Sequence, residues 1–179
     1  RFIYPETNKP YTGNLDVINN DWGKDAVEFN KNYVDGLLHG AEKTYYQSGK
    51  LKSIGHFTKG ILDGVVTGYY DDGAIRGKIP LKKGIREGVA YSYYPDGSKK
   101  SERYYVDGKI DGVSKGWHNN GKLRGTETLE NGVRQGYRKS YYKSGKKRDV
   151  VLYEDGEPII IQMYNKDGST LYERDHTKK

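Results

Sequence analysis

Residues 36–52 read GLLHGAEKTYYQSGKLK, and the spacing of their glycines and aromatic residues returns every 24 residues. The first glycine of this stretch recurs at Gly36, Gly60, Gly84, Gly108, Gly132 and Gly156. A second glycine follows four residues later in five repeats, and a third closes each repeat, one residue early in the last. A fixed period of this length is typical of repeat architectures, in which each repeat contacts its neighbours.

The composition of the 179-residue chain is polar, yet it does not indicate disorder. Hydrophobic residues make up 34% and the mean hydropathy is −0.97, a balance that by itself leans towards a disordered chain. Seventeen of the 24 glycines, however, occupy the three repeated positions, so glycine serves turns and not a flexible linker. Eighteen tyrosines supply most of the area that can be buried, and we expect a thin, aromatic core.

Each repeat is expected to form a β-hairpin. The residue before the first glycine is Asp or Asn in four of six repeats, the preferred pair where a turn needs positive φ. Two short runs separated by glycine-bearing turns are typical of a hairpin, and no segment has sustained helical periodicity. The sequence therefore predicts an all-β fold, an elongated single antiparallel sheet of consecutive 24-residue β-hairpin repeats.

Three segments are expected. Residues 1–25 would form an atypical N-terminal cap or entry segment, residues 26–157 the repeat array, and residues 158–179 a degenerate last repeat with a C-terminal cap and a basic tail. The run Ile159, Ile160 and Ile161 is the strongest apolar β segment and lies near a sheet end, where an uncovered edge would be adhesive. It is expected to pack within the cap; the alternative is a homodimer contact through this C-terminal edge, or strand addition by a partner.

The hairpin register predicts a candidate binding site. A two-residue turn at Ser48-Gly49 would place residue 45 opposite residue 52, and residue 44 opposite residue 53. Residues 44 and 53 and their equivalents are mostly small and would line the buried face. On the other face an aromatic column would stand beside a basic column: Tyr45, Tyr69, Tyr93, Trp117 and Tyr141 beside Lys52, Arg76, Lys100, Arg124 and Arg148. This basic–aromatic ladder is the candidate site; the alternative is a structural role, with Lys and Arg stems covering tyrosine faces.

The string Gly-x3-Gly-x4-Tyr-Tyr-x2-Gly-Lys-Leu-Lys in residues 36–52 resembles the MORN repeat family (membrane occupation and recognition nexus), specifically its bacterial variant form. The resemblance covers residues 26–157. It implies an elongated, twisted antiparallel sheet with a scaffold or binding role and no catalysis, and it implies acidic phospholipids or other proteins as partners. Bacterial members of the variant form are often labelled antitoxins of a toxin–antitoxin or immunity pair, and some are exported.

Three features of the sequence resemble sites that carry chemistry. Residues 112–116 match Gly-x-Ser-x-Gly, but the string lies along a repeat strand, whereas a nucleophile elbow needs a strand–turn–helix. An acidic row, Asp63, Glu87 and Asp111, is spaced too widely to share one calcium ion, and we expect it to pair with nearby Lys or Arg. The four histidines do not cluster and cysteine is absent. We therefore expect no catalytic residue, no metal site and no cofactor.

Charge and composition leave two classes of partner open. A net charge of +7 suits an anionic partner and ordinary solubility equally well. We expect a non-enzymatic scaffold that binds another protein; the alternative is an acidic phospholipid or other polyanion bound through the basic–aromatic ladder. Nucleic acid is not expected, because acidic side chains are interspersed among the basic ones. The chain begins at Arg1 without an initiator methionine, so we expect an exported or cell-envelope protein, with the cytoplasm as the alternative.

Overall fold

The computed structural model describes residues 3–4 and 7–176 of the chain. Backbone packing divides the chain into two compact units, Arg1–Arg86 (unit 1) and Glu87–Lys179 (unit 2). The end of the expected basic tail, Lys178 and Lys179, lies outside the described residues.

Both units consist of antiparallel β-strands, and unit 1 adds one turn of 3-10 helix at Asn20–Trp22. The strands of unit 1 are β1 (Gly13–Ile18), β2 (Val27–Val34), β3 (Leu37–Leu38), β4 (Gly40–Tyr45), β5 (Leu51–Thr58), β6 (Ile61–Leu62), β7 (Gly64–Tyr69), β8 (Ile75–Lys82) and β9 (Ile85–Arg86). The strands of unit 2 are β10 (Gly88–Tyr93), β11 (Lys99–Val106), β12 (Lys109–Ile110), β13 (Gly112–Trp117), β14 (Leu123–Glu130), β15 (Val133–Arg134), β16 (Gly136–Tyr141), β17 (Lys147–Glu154), β18 (Glu157–Tyr164) and β19 (Thr170–Asp175).

Strand pairing follows the order of the chain. Strand β4 pairs with β5, and β5 pairs in turn with β6 and β7. The same succession of a six-residue, an eight-residue and a two-residue strand recurs in unit 2 from β10 to β16. The predicted fold class, an all-β array of antiparallel hairpin repeats, is confirmed.

The turn at the first repeated glycine has left-handed backbone at two consecutive residues, as the Asp-Gly and Asn-Gly pairs predict. The residue before the glycine has φ between 46° and 52° in all six turns. Turns of this kind match the twist of the flanking strands. Lys59 and Lys83 adopt the same conformation, both with φ of 52°, although lysine has no side-chain acceptor to favour it.

These turns also tie each repeat to the one before. Gly84 N donates to Leu62 O over 2.7 Å, and Lys83 N donates to Asp63 Oδ2 over 3.0 Å. Equivalent side-chain acceptors serve three other turns: Glu87 for Asp107 N, Asp111 for Asn131 N and Gln135 for Asp155 N. The expectation that the acidic row pairs with Lys or Arg is therefore wrong. Its carboxylates accept from backbone amides, because the turn presents an N–H that no strand satisfies.

The buried side chains of unit 2 lie on one face of its sheet, which we call the core face in both units. It carries the residues equivalent to 42, 44, 53, 55 and 57; the opposite surface is the outer face. The buried side chains are Ser101, Tyr105, Ser114, Leu129, Ser140, Asp149 and Val151. Since four of these seven are polar and no described side chain is completely buried, the core is thin.

The apolar run Ile159–Ile161 does not lie at a sheet edge. It is part of β18, which pairs with β17 on one side and with β19 on the other. The run is paired on both sides because residues 170–175 add one further strand, and this placement fits the expectation that it packs within the cap. A homodimer contact through the C-terminal edge stays a prediction, and it would now involve β19, where Leu171 is 63% exposed.

Candidate functional site: a basic groove on the core face

The glycine-bearing loop of each hairpin has three residues and not two. Tyr46 N donates to Lys50 O over 2.8 Å, and Gly49 N donates to Tyr46 O over 2.9 Å, so residues 47–49 form the loop. The residue before the loop glycine accepts the N–H two positions on in all six loops. Where that residue is Asp96, hydrogen bonds from Ser98 hold the pKa of its carboxyl below the usual range.

The longer loop is followed by a β-bulge. Tyr45 pairs with Leu51, whereas Thr44 pairs with Ser53 as predicted, so Lys52 is an extra residue in its strand. The same shift occurs in the other four hairpins, leaving Arg76, Lys100, Arg124 and Arg148 at bulges.

The bulge places the five basic residues on the core face, so the predicted pairing of the basic–aromatic ladder is wrong. Lys52 Nζ lies 5.6 Å from the ring centroid of Tyr46, not beside Tyr45. A Cβ atom added to Gly68 would lie 3.4 Å from Arg76 Nη2, so the guanidinium covers that glycine. The structure therefore does not bring the basic and aromatic columns together.

The aromatic column lies on the outer face, next to the residues equivalent to 51. In unit 2, Lys99 Nζ lies 5.2 Å from the ring centroids of both Tyr91 and Trp117. It also donates to Glu102 over 3.0 Å, and this hydrogen bond raises the pKa of Lys99. Sequence reasoning missed Lys99 because its position depends on the length of the loop.

The second member of four of the aromatic pairs links neighbouring repeats. Tyr46 Oη donates to Tyr69 O over 2.7 Å, and Tyr94 Oη donates to Trp117 O over 2.8 Å. The same link is made by His118 Nε2 to Tyr141 O and by Tyr142 Oη to Tyr164 O. The phenol group spans a repeat, which explains why this position holds a side chain with a polar tip.

Unit 2 contains a groove of about 410 Å³ on its core face. Its lining includes five arginines, Arg103, Arg124, Arg134, Arg138 and Arg148, and one lining acid, Glu127. Lys115 and Lys139 also line it, but strand alternation directs their side chains to the outer face, where Lys139 Nζ lies over the Tyr137 ring. The groove is therefore strongly basic.

Asp149 lies beneath this groove and is only 3% exposed. Arg138 Nη2 donates to its Oδ1 over 2.7 Å, Arg148 Nε donates to its Oδ2 over 2.9 Å, and Ser140 Oγ donates to the same Oδ2. Burial raises the pKa of the Asp149 carboxyl, but the Ser140 and Arg148 hydrogen bonds and the two arginine charges outweigh it. The net effect is a pKa below the usual value of an aspartate carboxyl.

Two polar atoms of this region are buried without a hydrogen-bond partner among the described residues: Ser114 Oγ and Arg138 Nε. Both residues line the groove. Such unpaired buried groups are rare in folded proteins, because each loses its hydration without compensation.

Ser114 does not have the surroundings of a nucleophilic serine. It lies within β13, with no strand–turn–helix around it. His118 Nε2 contacts Tyr141 O, and Asp111 caps the Asn131 amide, so both have other partners. Among the described residues, no group of three or more His, Asp or Glu side chains could hold a metal ion. No helix in that part of the chain is long and apolar enough to span a membrane.

The outer face carries exposed apolar side chains at repeating positions. In unit 1 these are Ile61, Val65 and Ile85, which are 48%, 48% and 50% exposed. In unit 2 they are Val89, Val113, Val133 and Tyr137, which are 36%, 49%, 46% and 51% exposed.

Together these features define a class: a repeat protein built from glycine-turn β-hairpins that presents extended side-chain surfaces. The family described as MORN repeat variant matches residues 38–59, 62–83, 86–107 and 110–131. The chain belongs to the MORN repeat family. It is accordingly a repeat scaffold, of a family that mediates protein or membrane-lipid interactions. No curated protein matches the chain.

Proposed function

We propose that this chain is a non-enzymatic scaffold that binds another protein through its outer face. The observation that supports this proposal is the set of exposed apolar side chains, which recur once or twice per repeat on that face. Val113 and Tyr137 lie on neighbouring hairpins of unit 2 and are about half exposed. Apolar side chains at regular spacing on a solvent-exposed surface favour an interaction site, because exposed apolar residues without such a role are usually scattered singly.

The test is a binding measurement with outer-face variants. A partner captured with the intact chain would be purified and titrated against the variant Val113→Ser/Tyr137→Ser. We expect at least about tenfold weaker binding, because truncating central apolar contacts removes most of an interface's free energy. Asn119→Ser, in the exposed loop of the same hairpin as Val113, is the control and should bind normally. Equal affinities of the double variant and the intact chain would contradict the proposal.

Family resemblance supports a narrower role for such a scaffold, as an antitoxin- or immunity-type protein or as an exported binding protein. In the first case the partner would be a toxic protein encoded next to it. Co-expression with the neighbouring reading frame should then restore growth, and a neighbour that is harmless when expressed alone would contradict that role.

A second candidate is binding of an acidic phospholipid surface or another polyanion through the five bulge cations. The observation that favours this candidate is that the bulge cations of each unit lie on its core face. Arg76 and Arg124 have no carboxylate partner among the described residues, so both are available to anions. Binding to anionic vesicles should weaken with salt. Vesicle binding that is unchanged in the Arg76→Gln/Arg124→Gln variant would contradict this candidate.

A further inference from the structure

The five bulge cations meet different surroundings, which depend on the two residues beneath them. Where both are hydroxyl residues, they bond to each other, as Ser92 and Ser101 do over 2.6 Å, and the lysine lies over a tyrosine. Where both are glycines, the cation is an arginine whose guanidinium covers the first glycine of the pair. Arg76 covers Gly68, which pairs with Gly77, and Arg124 covers Gly116, which pairs with Gly125.

The hairpin of β16 and β17 shows what such an arginine binds when a carboxylate is present. There the pair is Ser140 and Asp149, and the Asp149 carboxylate is held by Arg148, Arg138 and Ser140. A buried carboxylate with three donors is a complete oxyanion site, because guanidinium forks match carboxylate geometry.

The preceding hairpin has the same arginine without the carboxylate. Arg124 is the equivalent of Arg148, Gly125 stands where Asp149 is, and Gly116 stands where Ser140 is. Arg124 and Arg103 have no acidic partner in the part of the chain that the structure describes. Ser114 lines the same groove and is only 5% exposed, and its hydroxyl has no partner there.

The chain itself could not supply a carboxylate at residue 125. A Cβ atom there would lie 2.6 Å from Lys139 O, a backbone atom that cannot move aside. The lining acid Glu127 accepts a hydrogen bond from Arg134, so an anion that completes this site would come from outside the chain. The groove has the charge to attract one, since its five arginines face only Glu127 and Asp149, an excess of three positive charges.

We propose that this groove binds an acidic segment of a protein, with one Asp or Glu carboxylate entering beside Ser114 and Arg124. That carboxylate takes the place that Asp149 occupies one hairpin further on, and it accepts from the Ser114 hydroxyl and the Arg124 guanidinium. Further acidic residues of the segment pair with Arg103 and the unpaired Arg138 Nε. The groove lies on the core face, opposite the proposed protein-binding surface on the outer face, so the two proposals can be tested independently of each other.

The experiment is a titration of the full chain with acetylated hexaglutamate at low salt, with hexaglutamine as the neutral control peptide. Arg124→Gln should weaken binding about tenfold, since it removes a charge-assisted hydrogen bond. Ser114→Ala should weaken it by about threefold to tenfold, since it removes one hydroxyl hydrogen bond. Arg76→Gln is the matched control. It makes the same change of charge over the same kind of glycine pair, but its neighbour at the position of Ser114 is Val66.

Arg76→Gln should therefore change the affinity less than about twofold. Equal losses in Arg76→Gln and Arg124→Gln would overturn the proposal, because they would indicate general attraction between charges. Binding of inorganic phosphate or of anionic vesicles, with no binding of hexaglutamate, would also overturn it and would assign the groove to a phosphate group.

A second variant keeps the test independent of any loss of folding. Ser114→Asp gives the groove a carboxylate of its own, beside Arg103 and Arg124. We expect a higher melting temperature together with loss of hexaglutamate binding. A lower melting temperature with binding retained would contradict the site.

Discussion

Arg148 and Asp149 are neighbours in the chain, yet both side chains lie on the core face, where Arg148 Nε donates to Asp149 Oδ2 over 2.9 Å. In a regular strand consecutive side chains point to opposite faces. The bulge at Arg148 removes this alternation for one residue, so a cation and an anion adjacent in sequence form an ion pair. The same bulge turns the other four basic residues towards the core face.

The Asp149 cluster should make stability depend on acid pH. The pKa of Asp149 lies below its unfolded value of about 3.9, so its contribution is complete above that pH and is lost as the pH falls through the folded pKa. Asp149→Asn should lower the free energy of unfolding by about 1–3 kcal/mol at pH 7. Urea unfolding of both proteins across pH should show this difference shrinking below about pH 4. A difference that stays constant in acid would argue against a charged Asp149.

The lysines in left-handed turns should be replaceable with a gain of stability. Lys59 has φ of 52°, a conformation that asparagine adopts more readily than lysine. Lys59→Asn should raise the free energy of unfolding by about 0.5–1 kcal/mol. Lys82→Asn, in strand β8, is the control and should be neutral or destabilising. Thermal unfolding of the two variants measures the contrast, and a destabilised Lys59→Asn would contradict the turn geometry.

The acidic row should act through its acceptor oxygens and not through its charge. Asp111→Ala leaves the Asn131 amide without its acceptor and should cost about 1–2 kcal/mol. Asp111→Asn keeps an oxygen in place and should cost much less, since Gln135 serves the next turn in this way. Denaturant unfolding of the pair decides between these roles. Equal losses would indicate that the negative charge matters, as ion pairing requires.

Two strand glycines should differ in their tolerance of a methyl group. Gly125→Ala would place Cβ 2.6 Å from the backbone oxygen of Lys139 and should cost about 1–3 kcal/mol or more. Gly68→Ala meets only the mobile end of the Arg76 side chain, 3.4 Å away, and should cost less. Comparable melting temperatures for both variants would show that the hairpins are not packed as closely as described.

Much of the fold could be predicted because glycine and its neighbours report backbone conformation directly. Every repeated glycine was expected in a turn, and all have positive φ. The pairing of Thr44 with Ser53 was also correct, but for an incomplete reason. A three-residue loop shifts the register by one residue, and the bulge at Lys52 shifts it back.

The candidate site was harder to predict because the loop shift and the bulge shift cancel beyond the bulge. The predicted and the observed strand pairings therefore differ only at residues 45, 51 and 52. A Ser-Gly pair suits either loop length, so local sequence does not choose between them. The basic column was recognised, but its face was not. One signal was visible: Asp149 is the charged exception in a column of serines and glycines, and it marks the hairpin in which a carboxylate of the chain accepts from the bulge arginine.

The most direct test of the scaffold function is site-specific photocrosslinking in cells that produce the protein. A crosslinking amino acid at Val113 would report contacts of the outer face, and one at Asn119, in the exposed loop of the same hairpin, is the control. We expect a specific protein adduct from position 113 and a much weaker one from position 119. Equal adducts from both positions, or no protein adduct from position 113, would contradict the account.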